Sequence, residues 1–158
     1  MFNHGLKKLL TVGLIASSLV VTAQSAFATS PYVEENETYN NNINTPTSFS
    51  WGQYATGYIE SSSDSDWWSF YADANQGGRP VTLVLNTPQN KDYRFTAIDS
   101  IGSRPDNFTW GTQQNGLITA SFTLRANTTY KFRIYGTGPD DFTPVSGNSS
   151  DKYYLSVN

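Results

Sequence analysis

Between Trp51 and Val157, apolar side chains recur at every second position, in runs too short for a helix and separated by turn residues. An extended strand alternates its faces with a period of two, whereas a helical face repeats about every 3.6 residues. Val81, Leu83 and Leu85 share one parity. So do Ile118, Ala120, Phe122 and Leu124, then Tyr130, Phe132 and Ile134, then Tyr153, Leu155 and Val157. No stretch longer than a turn carries the helical period. Such a chain has to bury its apolar residues between facing sheets.

Strands are predicted over residues 55–60, 66–72, 81–86, 92–99, 117–124, 129–135 and 152–157, with a brief extended piece at 108–111. Asn115-Gly116 is a strong turn signal. Asn75 to Pro80 reads as a loop, because Gly77-Gly78 permits positive φ and Pro80 has no N–H for a ladder. A long loop follows Gly136. The pattern predicts an all-β fold, a jelly-roll-like antiparallel β-sandwich. Residues 29–50 are polar, with Pro31 and Pro46 as breakers, and read as an irregular acidic N-terminal segment with a short helical turn after Glu34.

Residues 1–28 have the grammar of a signal peptide. Lys7 and Lys8 precede an apolar run over residues 9–23, and Ala26-Phe27-Ala28 is a small-x-small cleavage signal. The run is too short and too interrupted by Ser and Thr for a membrane span. Residues 29–158 are then expected as a single domain, secreted and extracellular. They hold eight Lys/Arg against thirteen Asp/Glu, a net charge of −5. That balance argues against nucleic acid or an anionic membrane surface as partner, since both attract concentrated positive charge.

The chain has no Cys, and its one His and one Met, His4 and Met1, fall in the leader. Residues 29–158 therefore cannot build a Ser-His-Asp or Cys-His site, nor a usual zinc site. Stability has to come from burial or from a bound metal.

Three constellations remain. Glu34, Glu35, Asn36 and Glu37 precede the sheets, and Asp64 and Asp66 stand at the entrance of the strand that continues as Trp67-Trp68-Ser69-Phe70-Tyr71. Brought together, these groups could supply the oxygen shell of Ca²⁺; apart, they are solvated charges and a turn cap. Aromatic residues make up 15% of the chain, as much as charged ones, which leaves rings such as Trp110 and Tyr135 for a surface. Exposed rings stack on sugars or fill apolar grooves, although Trp110 could equally cap the core. Asp64 and Asp66 could also be nominated as a glycosidase pair, but a Ser-rich turn keeps both ionised where one must hold a proton.

The strings Glu34-Glu35-Asn36-Glu37-Thr38, Gly57-Tyr58-Ile59 and Asp64-Ser65-Asp66-Trp67-Trp68-Ser69-Phe70 resemble the bacterial pre-peptidase C-terminal domain. So does the ending, Tyr130-Lys131-Phe132-Arg133-Ile134-Tyr135 followed by Lys152-Tyr153-Tyr154-Leu155-Ser156-Val157. The family includes the collagen-binding domains of clostridial collagenases. The resemblance implies a jelly-roll-like sandwich appended to secreted proteases and not itself catalytic.

It also implies calcium held by Glu34, Asn36, Glu37 and Asp66, with Asp64 substituting through a shifted turn. Tyr32 and Ser63 stand where the family has acids. The family's collagen-binding tyrosines fall on Trp110 and Tyr135, with Thr137 replacing a third. The expected function is a non-catalytic binding module for an extracellular protein, collagen-like, or a polysaccharide. Trp110 and Tyr135 would be its apolar anchors, and Arg133 would orient the ligand. The alternative is a regulator or accessory partner of a co-secreted protease.

Overall fold

The parity of each apolar run decides which face of its strand is covered, and the strands sort accordingly into two stacked sheets. The computed structural model describes residues 31–142 and 148–158. The leader expected over residues 1–28 lies outside the described residues, as does part of the loop after Gly136. The strands are β1 (Tyr32–Glu34), β2 (Thr47–Phe49), β3 (Tyr54–Gly57), β4 (Asp66–Ala72) and β5 (Pro80–Asn86). They continue with β6 (Tyr93–Ile98), β7 (Asp106–Gln114), β8 (Leu117–Thr123), β9 (Thr128–Gly136) and β10 (Tyr153–Val157). A six-stranded sheet runs in the order β1-β3-β10-β5-β8-β7, and a four-stranded sheet in the order β2-β4-β9-β6. The result is an all-β sandwich.

The purely antiparallel expectation needs correcting at one edge of each sheet. β1 pairs parallel with β3, and β2 pairs parallel with β4. The chain changes sheet at each of its first four strands, so each parallel partner is reached by way of the other sheet. Strands of three residues are too short to display a period, which is why the segment reads as irregular. Single residues hold these strands instead: Val33 packs against the core and Phe49 is buried in it.

Pro80 opens β5, the position in a strand where a missing N–H matters least. β7 runs nine residues, well beyond the brief piece expected, with two register shifts against β8. An edge strand with bulges needs no apolar alternation, and Thr112, Gln113 and Gln114 are exposed. Asn115 and Gly116 join β7 to β8 with φ of 54° and 74°, as a type I′ hairpin turn requires.

Trp68, Phe70, Phe95, Tyr130 and Phe132 of one sheet meet Leu83, Leu85, Phe122, Tyr153 and Leu155 of the other, all buried. Each such side chain contributes roughly 1.5–3 kcal/mol over an exposed one, so the core can hold the domain without a disulfide. Buried phenols and indoles need polar partners. The Arg125 backbone N–H donates to the Tyr130 hydroxyl at 2.7 Å, and Trp68 Nε1 donates to the Tyr153 hydroxyl at 2.8 Å. The second bond ties the two sheets together and leads to the acidic cluster. No helix among the described residues is long and apolar enough to cross a membrane.

Candidate functional site

β1 sets the parity of the acidic segment. Val33 packs against the core, so Glu35 and Glu37, two and four residues on, are partly buried, while Tyr32, Glu34 and Asn36 are exposed. The same period of two places Asp66 on the inner face of β4 with Trp68 and Phe70, and it has no exposed surface. Oxygens of Glu35, Glu37 and Asp66 lie within 4.8 Å of one another. Asp64 is buried beside them and accepts from the Glu60 backbone N–H at 2.6 Å. Asn40 is fully buried as well: its Nδ2 donates to Asp66 at 3.2 Å, and its carbonyl accepts from the Trp67 N–H at 2.7 Å.

Acceptors outnumber donors here. The Tyr153 hydroxyl donates to Asp66, and the Tyr58 N–H donates to Glu35. Against these, Glu35 Oε2, Glu37 Oε1, Asn40 Oδ1 and Asp64 Oδ1 are buried with no hydrogen-bond partner. Burial, then the neighbouring Asp66 and Glu37, pushes Glu35 up to about 12. Burial pushes Asp66 up to about 7, and it raises Glu37 and Asp64 too. Buried acids so placed must either hold protons or share a cation. A charged, oxygen-only donor set of this kind suits a hard cation such as Ca²⁺. Gly57 completes the cradle, because a Cβ there would lie 2.1 Å from Glu35 Oε2.

The aromatic surfaces are divided between the sheets. On the outer side of the six-stranded sheet, Tyr32 stacks on Tyr54 with ring centroids 5.7 Å apart and meets Tyr154 edge-on at 5.8 Å. Tyr32 is 48% exposed and Tyr54 39%. Trp110 points the other way, inward from β7 against Phe95 at 5.0 Å and Phe108 at 5.2 Å, yet stays 45% exposed where the sheet edges part. Tyr135 lies on the outer side of the four-stranded sheet, with the Arg133 guanidinium 5.1 Å over its ring.

A solved structure shares this arrangement of strands. It is the pre-peptidase C-terminal domain of collagenase from Bacillus anthracis, with a TM-score of 0.54, covering 72% of this chain and 94% of that one at 12% sequence identity. The fold is that of a pre-peptidase C-terminal domain. No protein-family model matches the sequence, and no curated protein matches it.

Within the pre-peptidase C-terminal fold, the sequence-predicted residues are partly brought together. Glu37 and Asp66 meet, and Asp64 stands beside them. Glu34 and Asn36 do not join: Glu34 pairs with Lys152, and the Asn36 side chain accepts from the Thr38 N–H at 3.2 Å. Glu35, a member of the acidic constellation but not of the ligand set the resemblance implies, takes the inward place, with Asn40 and Gly57, to which the sequence gives no site role. The parity of Val33 was the signal that could have found Glu35. Asn40 has none, because its burial follows from a turn in which the Tyr39 and Asn40 N–H groups donate to the Asn36 carbonyl.

Trp110 and Tyr135 do not form one platform, since the Phe95 contact puts Trp110 on the side of the four-stranded sheet opposite Tyr135. Thr137 belongs to a loop network, with its hydroxyl on Asp92 at 3.1 Å and its N–H donating to Asp141 at 2.9 Å. The exposed rings that do touch are Tyr32, Tyr54 and Tyr154, of which Tyr154 is legible in the sequence from its parity opposite Tyr153 and Leu155.

Proposed function

We propose that this chain is a secreted, non-catalytic binding module that holds Ca²⁺ in the acidic cradle. It takes an extracellular protein or polysaccharide on the tyrosine face. The observation that carries the reading is the two-sidedness of β1. Its inward parity sends Glu35 into the cradle, and its outward parity sets Tyr32 on Tyr54 and Tyr154. A cation that fixes Glu35 thereby fixes the strand that presents Tyr32. Clustered tyrosines offer large, stiff contact area with a polar tip, the chemistry enriched in binding hot spots.

Burial raises Asp64 and Asp66 where the Ser-rich turn was expected to keep both ionised, so a glycosidase role is disfavoured by access and not by charge. Asp66 is fully buried under the Tyr153 hydroxyl, with no room for a scissile bond beside it. Export rests on the leader grammar of residues 1–28. A second reading, an accessory partner of a co-secreted protease, is favoured by the likeness to a domain of a collagenase.

Retention on insoluble collagen, cellulose and chitin, with Ca²⁺ and with chelator, tests the proposal. Tyr32→Ala combined with Tyr54→Ala is expected to abolish retention while leaving the melting temperature within a few degrees, as exposed rings contribute little to folding. Chelator is expected to weaken retention of the unmodified protein. If the double variant still binds, the tyrosine face is the wrong surface. Loss on Trp110→Ala or Tyr135→Ala instead would restore the sequence-predicted anchors. Retention by a co-secreted protease and by none of the polymers would favour the second reading.

A further inference from the structure

A groove at the β2 edge of the four-stranded sheet serves neither the cradle nor the tyrosine face. It encloses about 470 Å³, and its walls include Ser48, Phe49, Trp51, Ser69, Tyr71 and Asp73. That volume falls in the range of small-molecule sites. Trp51 follows β2, packs on Phe70 with ring centroids 6.0 Å apart, and carries the Arg79 guanidinium 4.2 Å over its ring. Tyr71 is 57% exposed on the outer side of β4, its hydroxyl donating to Asn127 at 3.2 Å. Parallel pairing of β2 with β4 sets the Ser48 and Ser69 hydroxyls 2.8 Å apart. Asp73 caps the turn that follows β4, its side chain accepting from the Asn75 N–H at 2.8 Å and from the Gln76 N–H.

These walls combine ring faces with hydroxyls and a carboxylate, whose oxygens each have more than one lone pair to offer. Asp73 is the one charged side chain among these walls, and Arg79, of opposite sign, lies over Trp51, so the groove concentrates no charge of one sign for an ionic ligand. A sugar ring has the matching character, with an apolar C–H face and a rim of hydroxyls that donate and accept. A peptide adding to the β2 edge would use backbone groups instead and leave the side-chain hydroxyls idle.

We infer that the groove binds a neutral saccharide. Its C–H face stacks on Tyr71 beside Trp51, and its hydroxyls exchange hydrogen bonds with Ser48, Ser69 and Asp73. The inference is independent of the tyrosine face, which belongs to the other sheet.

The test is titration of ¹⁵N-labelled protein with cellotetraose, maltotetraose and chitotetraose, and separately with a triple-helical Gly-Pro-Hyp peptide. At least one sugar is expected to give saturable shifts at the Trp51 indole and at the Ser69 and Tyr71 amides. Tyr71→Ala is expected to weaken that binding about tenfold, and Ser48→Ala about threefold, with the remaining spectrum unchanged. Both positions are exposed, so the variants should keep their fold. Absence of saturable shifts with all three sugars at about 10 mM overturns the inference, as does a Tyr71→Ala variant that binds equally well. Shifts at Tyr32, Tyr54 and Tyr154 alone overturn the groove but leave the tyrosine face standing. Shifts along β2 with the peptide and none with sugars also overturn it.

Discussion

Asp141 and the Glu35–Asp66 cradle both take carboxylates out of water, and their electrostatics are opposite. Asp141 accepts from the backbone N–H of Asp92 at 2.6 Å, of Gly138 at 2.7 Å and of Thr137 at 2.9 Å. Burial works against its charge, but these donations outweigh burial and hold it below the usual carboxylate range. One charge has three N–H donors, and the loop after β9 is tied to the start of β6. In the cradle four acids share few donors, and burial wins. The difference teaches that burial alone does not decide whether an acid stabilises the fold; the ratio of donors to charges does. A site short of donors by several bonds is built for something other than self-sufficiency.

The largest expected effect follows directly. Saturating Ca²⁺ at about a hundred times its dissociation constant should add about 2.7 kcal/mol, or roughly 10 °C in melting temperature for a domain of this size, and chelator should reverse it. The pH dependence carries a definite sign. Folded Glu35 and Asp66 keep protons that the unfolded chain releases near its ordinary values of 4.5 and 3.8. Without metal their contribution is therefore full below about pH 4; that of Asp66 is lost as pH rises through about 7, and that of Glu35 keeps falling toward about 12. Calcium bound in the cradle would replace those protons, so its stabilisation should grow as pH rises from about 4. A calcium effect on melting that is equal at pH 4.5 and pH 8 breaks the comparison, because the cradle would then not be the site.

Asp141 supplies the opposite limb. Asp141→Ala leaves three N–H groups without their acceptor and should cost about 2 kcal/mol, with or without Ca²⁺. Because its folded value is lowered, its contribution is present above about 3.8 and is lost as pH falls through the lower folded value. Thermal melts from pH 2 to 8 should show the variant lowered at neutral pH with its slope there unchanged, and flattened on the acid limb. A variant that alters the calcium response would mean that the two sites are coupled.

Much of the sandwich was legible because a buried face writes itself as alternation. Trp68, Phe70, Tyr130, Phe132, Ile134, Tyr153 and Leu155 are all inward, as their parity demands. What failed was short or local. β1 and β2 have three residues each, and the resemblance names Glu34 as a ligand where Val33 makes Glu35 the inward acid. Trp110 and Tyr135 were joined into one platform because strand identity says nothing about which sheet a strand enters. Tyr32 counted as a missing acid, and its stacking on Tyr54 depends on a parallel pairing reached through the other sheet. Parity is local and readable, whereas sheet assignment is settled by the whole core.

The smallest expected effect is also the sharpest test of the cradle. Gly57 is buried on β3 without positive φ, so its backbone accepts alanine, and the stiffer unfolded chain would by itself favour folding by about 0.4–1 kcal/mol. The new Cβ, however, would stand 2.1 Å from Glu35 Oε2 and 2.5 Å from Oε1, so the carboxylate has to swing away. The metal-free protein tolerates that movement, because it separates Glu35 from two neighbouring acids. A calcium-bound cradle would not, because it would lose an oxygen ligand. Gly57→Ala should therefore leave metal-free melting within a few degrees while weakening calcium binding about tenfold, or 1.4 kcal/mol, measured by calorimetric titration. Unchanged affinity would remove Glu35 from the ligand set. An equal loss of stability with and without the ion would make the contact between Gly57 and Glu35 a packing requirement and nothing more.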